Sequence, residues 1–158
     1  MKVQYTINKK HYEFDIHPGK VLLDVLREHG FTEVKGNCYM GTCGACTVLI
    51  NGVPKASCAV LAAEANGTEI TTIKGIGNIF HLHPLQKAFI ETGAVQCGYC
   101  TPGTILSAYA LLQKNPNPTE DDIKKAIDGN LCRCTGYVQQ IEAVKRACEL
   151  LKEEANGK

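Results

Sequence analysis

Gly36-Asn37-Cys38-Tyr39-Met40-Gly41-Thr42-Cys43-Gly44-Ala45-Cys46-Thr47-Val48-Leu49-Ile50-Asn51-Gly52 decides how the first half of this chain is built. Three cysteines spaced C-x4-C-x2-C share a run with three glycines, and the run feeds a short apolar strand, Thr47 to Ile50. Asn51-Gly52 is a strong two-residue hairpin signal, so Val53 to Ala56 returns beside that strand and brings Cys58 back toward the first three cysteines. Upstream, Val3, Tyr5 and Ile7 alternate with polar residues, as do Tyr12, Phe14 and Ile16, which is the period of a half-buried strand pair. Val21 to His29 reads as a helix with Val21, Leu22, Val25 and Leu26 on one face and Gly30 as its stop. Glu69 to Ile73 is a last, weaker strand. The expectation is a mixed sheet with one packed helix.

The x4–x2 gap is the ligand spacing of plant-type [2Fe–2S] ferredoxins. Two ferric ions, two sulfides and four thiolates sum to about −2, and reduction adds a further negative charge. Such a group needs backbone N–H donors from a loop wrapped closely around it. Gly36, Gly41 and Gly44 are expected to take φ > 0 and let the backbone approach the sulfurs. A four-cysteine zinc site is the competing reading. Structural zinc sites show two short knuckles, whereas here the first gap is x4 and Cys58 stands alone.

The second half reads as helices. Pro84 to Thr92 has Pro at its first turn and Gly93 as its stop. Thr101-Pro102 reads as N-cap and first residue of a helix reaching Lys114, with Ile105, Leu106, Tyr109 and Leu112 as its stripe. Asn115-Pro116-Asn117-Pro118 breaks the chain, and Thr119 with Asp122 forms a capping box for a helix through Ile127. Val138, Ile141, Val144, Cys148 and Leu151 mark a last amphipathic helix, with Lys152 to Lys158 expected to fray. A second quartet sits at helix starts: Cys97-Gly98-Tyr99-Cys100 and Cys132-Arg133-Cys134. Helix N-termini favour anions, and a C-x-C pair suits two thiolates on one metal centre. A redox C-x-x-C is the alternative for Cys97 and Cys100. It needs a βαβ context and leaves Cys132 and Cys134 unexplained. Cys148, the ninth cysteine, falls on an apolar stripe and reads as a buried, inert thiol.

The 158 residues suit one domain or two small ones, and a half of this size has a marginal core that a metal would staple. The boundary falls near 74–80, giving 1–76 and 77–158. Seventeen basic and sixteen acidic residues leave a net charge of +1, without the basic patch of a nucleic-acid or membrane-surface protein. No secretory h-region opens the chain and no stretch approaches the roughly 20 apolar residues of a membrane span. A cytoplasmic location follows as the default, and with it metal rather than disulfides for nine cysteines.

Three segments carry a resemblance: Cys43-Gly44-Ala45-Cys46-Thr47-Val48, Gly93-Ala94-Val95-Gln96-Cys97-Gly98-Tyr99-Cys100-Thr101-Pro102-Gly103, and Gly129-Asn130-Leu131-Cys132-Arg133-Cys134-Thr135-Gly136-Tyr137. With His83-Pro84-Leu85-Gln86-Lys87-Ala88-Phe89, they make the chain resemble, over nearly its whole length, the small iron–sulfur subunit of the xanthine oxidase family of molybdenum hydroxylases. The resemblance implies an α+β protein, a ferredoxin-like β-grasp domain followed by a four-helix bundle. It implies two [2Fe–2S] clusters, on Cys38, Cys43, Cys46 and Cys58 and on Cys97, Cys100, Cys132 and Cys134. The second would lie near molybdopterin on a large partner subunit, and the first toward FAD on a medium subunit. Gln96 matches a position that hydrogen-bonds the pterin, and Cys134 the ligand closest to it. Tyr99 and Arg133 are expected only to pack and shield. Asn37 stands where the family has Gly, and Asn tolerates the left-handed conformation such a loop would ask for. No G-x-G-x-x-G follows a strand, so flavin and molybdenum domains are expected on other chains. The implied work is electron transfer rather than substrate chemistry, with no catalytic residue on this chain. A freely diffusing ferredoxin-type carrier and a zinc-binding interaction module are the alternatives. The carrier leaves the second half unexplained, and the zinc module predicts a colourless zinc protein.

Overall fold

Alternation and punctuation place the elements. The computed structural model describes residues 1–157. Its elements are β1 (Lys2–Ile7), β2 (Lys10–Asp15), α1 (Leu22–Glu28), β3 (Thr47–Ile50), β4 (Val53–Ala56), a 3-10 turn (Ser57–Ala59), β5 (Glu69–Thr71), α2 (Ile73–Ile76), α3 (Pro84–Glu91), α4 (Thr101–Lys114), α5 (Glu120–Ile127) and α6 (Val138–Asn156). The five strands lie in the order β2-β1-β5-β3-β4. The β1–β5 pair is parallel, with Thr6 opposite Glu69 and Ile7 opposite Ile70, and the others are antiparallel. The sheet is therefore mixed, as the alternation implied.

Val3, Tyr5 and Ile7 point inward on β1 because a strand turns alternate side chains to one face. They pack with Phe14, Ile16, Leu22, Leu23, Val25, Leu26, Val48 and Ile70 in one core. Asn51-Gly52 turns the chain with both residues at positive φ (49° and 77°). The same job at the first hairpin falls to Asn8 and Lys9 (φ 49° and 68°), which no glycine announces. Asn8 also receives the Thr72 N–H on Oδ1 at 2.8 Å, and its Nδ2 donates to Thr72 Oγ1 at 2.9 Å. Thr72 Oγ1 donates in turn to Glu33 at 2.8 Å.

A second core joins Leu85, Ala88, Phe89, Ile105, Ala108, Leu112, Ile123, Ile127, Ala143, Val144 and Ala147, with Ile73 and Ile76 of α2 packed against it. Leu49 of β3 meets Leu106 and Ala110 of α4 in a third cluster, which fastens the sheet to the helices.

Several helix ends differ from expectation. Cys100, not Thr101, caps α4, so Pro102 takes the second helical position, where its missing N–H still costs nothing. Val138 is 63% exposed and lies off the buried face of α6; Val144 is fully buried, Ile141, Cys148 and Leu151 pack half-buried against the second core, and Gln140, Ala143 and Ala147 complete the buried face. Lys152 to Asn156 stay helical where fraying was expected; Lys158 lies outside the described residues. Glu69 to Ile73 is strand only as far as Thr71.

Candidate metal centres

Cys38, Cys43 and Cys46 lie on the segment between α1 and β3, and Cys58 sits in the 3-10 turn that follows β4. The β3–β4 hairpin, paired Thr47–Ala56 through Ile50–Val53, carries Cys58 back to the others. The thiols meet in pairs: Cys43 hydrogen-bonds to Cys38, and Cys46 to Cys58. Backbone N–H groups aim at the sulfurs, Met40 at Cys38 Sγ (3.4 Å) and Gly41 at Cys58 Sγ (3.3 Å). The Met40 N–H, with Thr42 and Cys43, draws the Cys38 thiol down to about 5, whereas burial pushes Cys58 up to about 11. The loop thus offers donors to negative sulfur at one end and a water-poor wall at the other.

Its backbone differs from expectation at two points. Gly41 and Gly44 do take φ > 0 (74° and 71°), but Gly36 does not. Space is what Gly36 supplies: a Cβ there would sit 2.9 Å from the Tyr39 hydroxyl oxygen. The left-handed conformation considered for Asn37 belongs to Tyr39 instead (φ 53°).

Cys97 and Cys100 lead into α4, and Cys132 and Cys134 precede α6. Again the thiols pair, Cys100 with Cys132 and Cys97 with Cys134. Among the described residues no three side chains converge on one ion; the thiols stand as those two pairs, and four thiolates are the donor set that a [2Fe–2S] group takes. A cavity of about 470 Å³ opens over Cys97, Cys100, Cys132 and Cys134. Burial would push the Cys132 thiol up, but the Thr135 hydroxyl and backbone, Cys134 and Cys100 outweigh it and bring it down to about 7. Burial, then Cys132, takes Cys100 up to about 11. Cys97 and Cys134 are exposed, as is Gln96 beside them.

The quartets share a seam. Leu131 N–H, one residue before Cys132, donates to the carbonyl of Cys43 at 2.9 Å. Asn130, buried, donates from Nδ2 to Gly44 O (3.1 Å) and Thr47 Oγ1 (3.3 Å). A Cβ on Gly44 would fall 2.2 Å from Gly129 O, and one on Gly103 would fall 2.3 Å from Gly44 O. The Tyr99 hydroxyl crosses to donate to Gly36 O.

Two family profiles cover the chain, a "2Fe-2S iron-sulfur cluster binding domain" at residues 5–71 and a "[2Fe-2S] binding domain" at 72–145. The nicotinate dehydrogenase small FeS subunit of Eubacterium barkeri is 53% identical over 133 residues, 84% of this chain and 85% of that one. The xanthine dehydrogenase iron-sulfur-binding subunit of Escherichia coli O157:H7 is 44% identical, over 95% of each chain. The chain belongs to the small iron–sulfur subunits of the xanthine oxidase family. A crystal structure of quinoline 2-oxidoreductase from Pseudomonas putida 86 superimposes with a TM-score of 0.91 at 40% identity, covering 97% of this iron–sulfur subunit and 96% of that chain. The subunit has two [2Fe–2S]-binding domains.

Four of its residues have partners that the sequence motifs do not announce. Asn130 and Gly103 lie inside the quoted motifs, but their partners are in the other half of the chain. Thr135 Oγ1 donates to Cys132 Sγ at 3.2 Å. Gln140 is buried on the apolar stripe of α6, and a polar residue at a stripe position is the signal that could have found it.

Proposed function

We propose that this subunit transfers electrons within a multi-subunit molybdenum hydroxylase and does not itself bind the substrate. The observation that carries this is the pair of thiol quartets held edge to edge, with Cys43 and Leu131 joined by a hydrogen bond. Cys38, Cys43, Cys46 and Cys58 would hold one [2Fe–2S] cluster and Cys97, Cys100, Cys132 and Cys134 the other, two thiolates to each iron. When bound, the clusters supply one-electron sites between molybdopterin on a large partner subunit and FAD, or another acceptor, on a medium one. The chain's own residues place, deprotonate and shield those sites. Met40 and Gly41 direct N–H groups at sulfur, Gly44 lets the loops touch, and Leu49 packed on Leu106 fixes their separation.

The exposed face around Cys97 and Cys134 supports a partner at that end, with Gln96 hydrogen-bonding the pterin and Cys134 as its nearest ligand. We read the sheet with α1 as a ferredoxin-like β-grasp domain (1–76) and the helices as a four-helix bundle (77–158). Among the described residues no helix is long and apolar enough to cross a membrane, and we place the complex in the cytoplasm. Substrate choice lies with the large subunit.

Iron and acid-labile sulfide counts, with EPR of the reduced complex, test this reading. Four irons per chain, two distinct rhombic S = ½ signals and co-purifying molybdenum are expected. Two irons and one signal would remove the second quartet from its role, and a colourless zinc protein would sink both.

A further inference from the structure

Gln140 is fully buried, two residues after the start of α6, and its neighbours on that face are Ala143, Val144 and Ala147. Its Nε2 lies 3.4 Å from Cys100 Sγ, while its Oε1 is buried with no hydrogen-bond partner. A half-satisfied buried amide is unfavourable, and a leucine of similar size would fill the same space without that cost. The offset has to come from the donor half. A hydrogen bond to a charged acceptor is about twice as strong as one between neutral groups, so the N–H does most for the fold when Cys100 is a thiolate carrying cluster charge.

We infer that Gln140 sets the reduction potential of the second-quartet cluster, acting through Cys100 by donating its side-chain N–H to that ligand's sulfur. This rests on the reading of Cys100 as a ligand. Reduction adds one electron to the cluster and spreads its charge onto the sulfurs. A fixed donor stabilises that more negative state more than the oxidised one, so it favours reduction. Oε1 has no hydrogen-bond partner, so the Nε2 N–H is the group by which the amide engages the centre. At the first quartet the sulfurs receive the backbone N–H groups of Met40 and Gly41 and the Thr42 side chain. At the second quartet Gln140 is the donor that comes from the buried face of α6, whereas Thr135, whose Oγ1 donates to Cys132 Sγ, lies in the loop beside its ligand.

The test is a redox titration, followed by EPR, of the whole complex carrying Gln140→Leu, with Gln140→Met as a second variant of similar length and no donor. The one-electron reduction equilibrium of one cluster should fall about three- to tenfold, where tenfold is about 59 mV for a single electron. The other cluster should keep its potential, and iron should stay at wild-type content. Unchanged potentials in a fully loaded complex would overturn the inference and leave Gln140 a packing residue. Equal shifts in both clusters would overturn it too, as a general disturbance. Loss of iron from both variants would assign Gln140 to holding the site together instead. A wild-type complex with only two irons per chain would fail the ligand reading itself, a result distinct from any of these.

Discussion

Gly44 is constrained from two directions at once. Its φ of 71° is a conformation that costs an L side chain roughly 1–2 kcal/mol. Independently, an added Cβ would run into the backbone oxygen of Gly129 at 2.2 Å and the Asn130 side chain at 2.6 Å. Two of the atoms in the way, Gly129 O and Asn130 Cα at 2.9 Å, are backbone, so the two loops must part to make room. Gly44→Ala is therefore expected to lose more than the ~2 kcal/mol of backbone strain alone and to lower the iron content of both sites together. Iron analysis beside urea denaturation checks this; a fully loaded variant with wild-type stability would show that the seam is not closely packed. Gly52, with a similar φ of 77° but nothing within 4 Å of its Cβ position, is the control that carries the strain without the collision.

At the scale of elements, most of the architecture was legible because it is written in local chemistry. Pro84 and Gly93 bracket α3, the Thr119–Asp122 capping box opens α5, and Asn51-Gly52 closes the β3–β4 hairpin. What escaped depends on neighbours distant in the chain. Val138 fits the helical period yet is exposed, while Gln140, two residues on, is the first-turn residue that is buried. Tyr39 rather than Gly36 or Asn37 takes the left-handed position, since Gly36 is needed to clear the Tyr39 ring. Tyr5 shows how a strand's inner face can carry a polar tie that alternation does not announce. Its hydroxyl donates to Ala62 O at 2.6 Å inside the first core. Tyr5→Phe removes that bond and leaves the carbonyl unpaired, at a cost of about 1–3 kcal/mol. Burial also pushes the Tyr5 phenol up to about 12, against an ordinary value near 10. Between those pH values the unfolded chain gives up its proton before the folded one. The contribution of Tyr5 is thus complete below about pH 10 and falls away as the pH rises toward about 12. Urea midpoints measured across that window should converge for wild type and Tyr5→Phe; a constant gap between them would refute the raised phenol.

For the whole molecule the question is what keeps two small cores in one register, since neither half carries a large one. Apolar contact is part of it, through Leu49, Leu106 and Ala110. A sliding apolar contact has no preferred position, however, and the electron transfer proposed between the quartets needs one. Asn130 supplies direction: it is 3% exposed, and its amide reaches Gly44 O and Thr47 Oγ1, more than eighty residues back in the chain. Thr47 donates to Gly44 O as well, from Oγ1 at 2.7 Å and from its backbone N–H at 3.1 Å, so three donors converge on one carbonyl at the point where the loops touch. Asn130→Asp keeps the shape and exchanges the N–H donors for an acceptor facing another acceptor. It should destabilise more than Asn130→Ala, which only deletes bonds worth about 1–3 kcal/mol. Each half should retain its own core in the Asp variant, since Asn130 belongs to neither apolar cluster. The expected signature is a single unfolding transition in wild type that separates into two in Asn130→Asp, followed by calorimetry on the cluster-loaded protein. An Asp variant that unfolds in one step at the wild-type temperature would mean that the apolar contact alone sets the register.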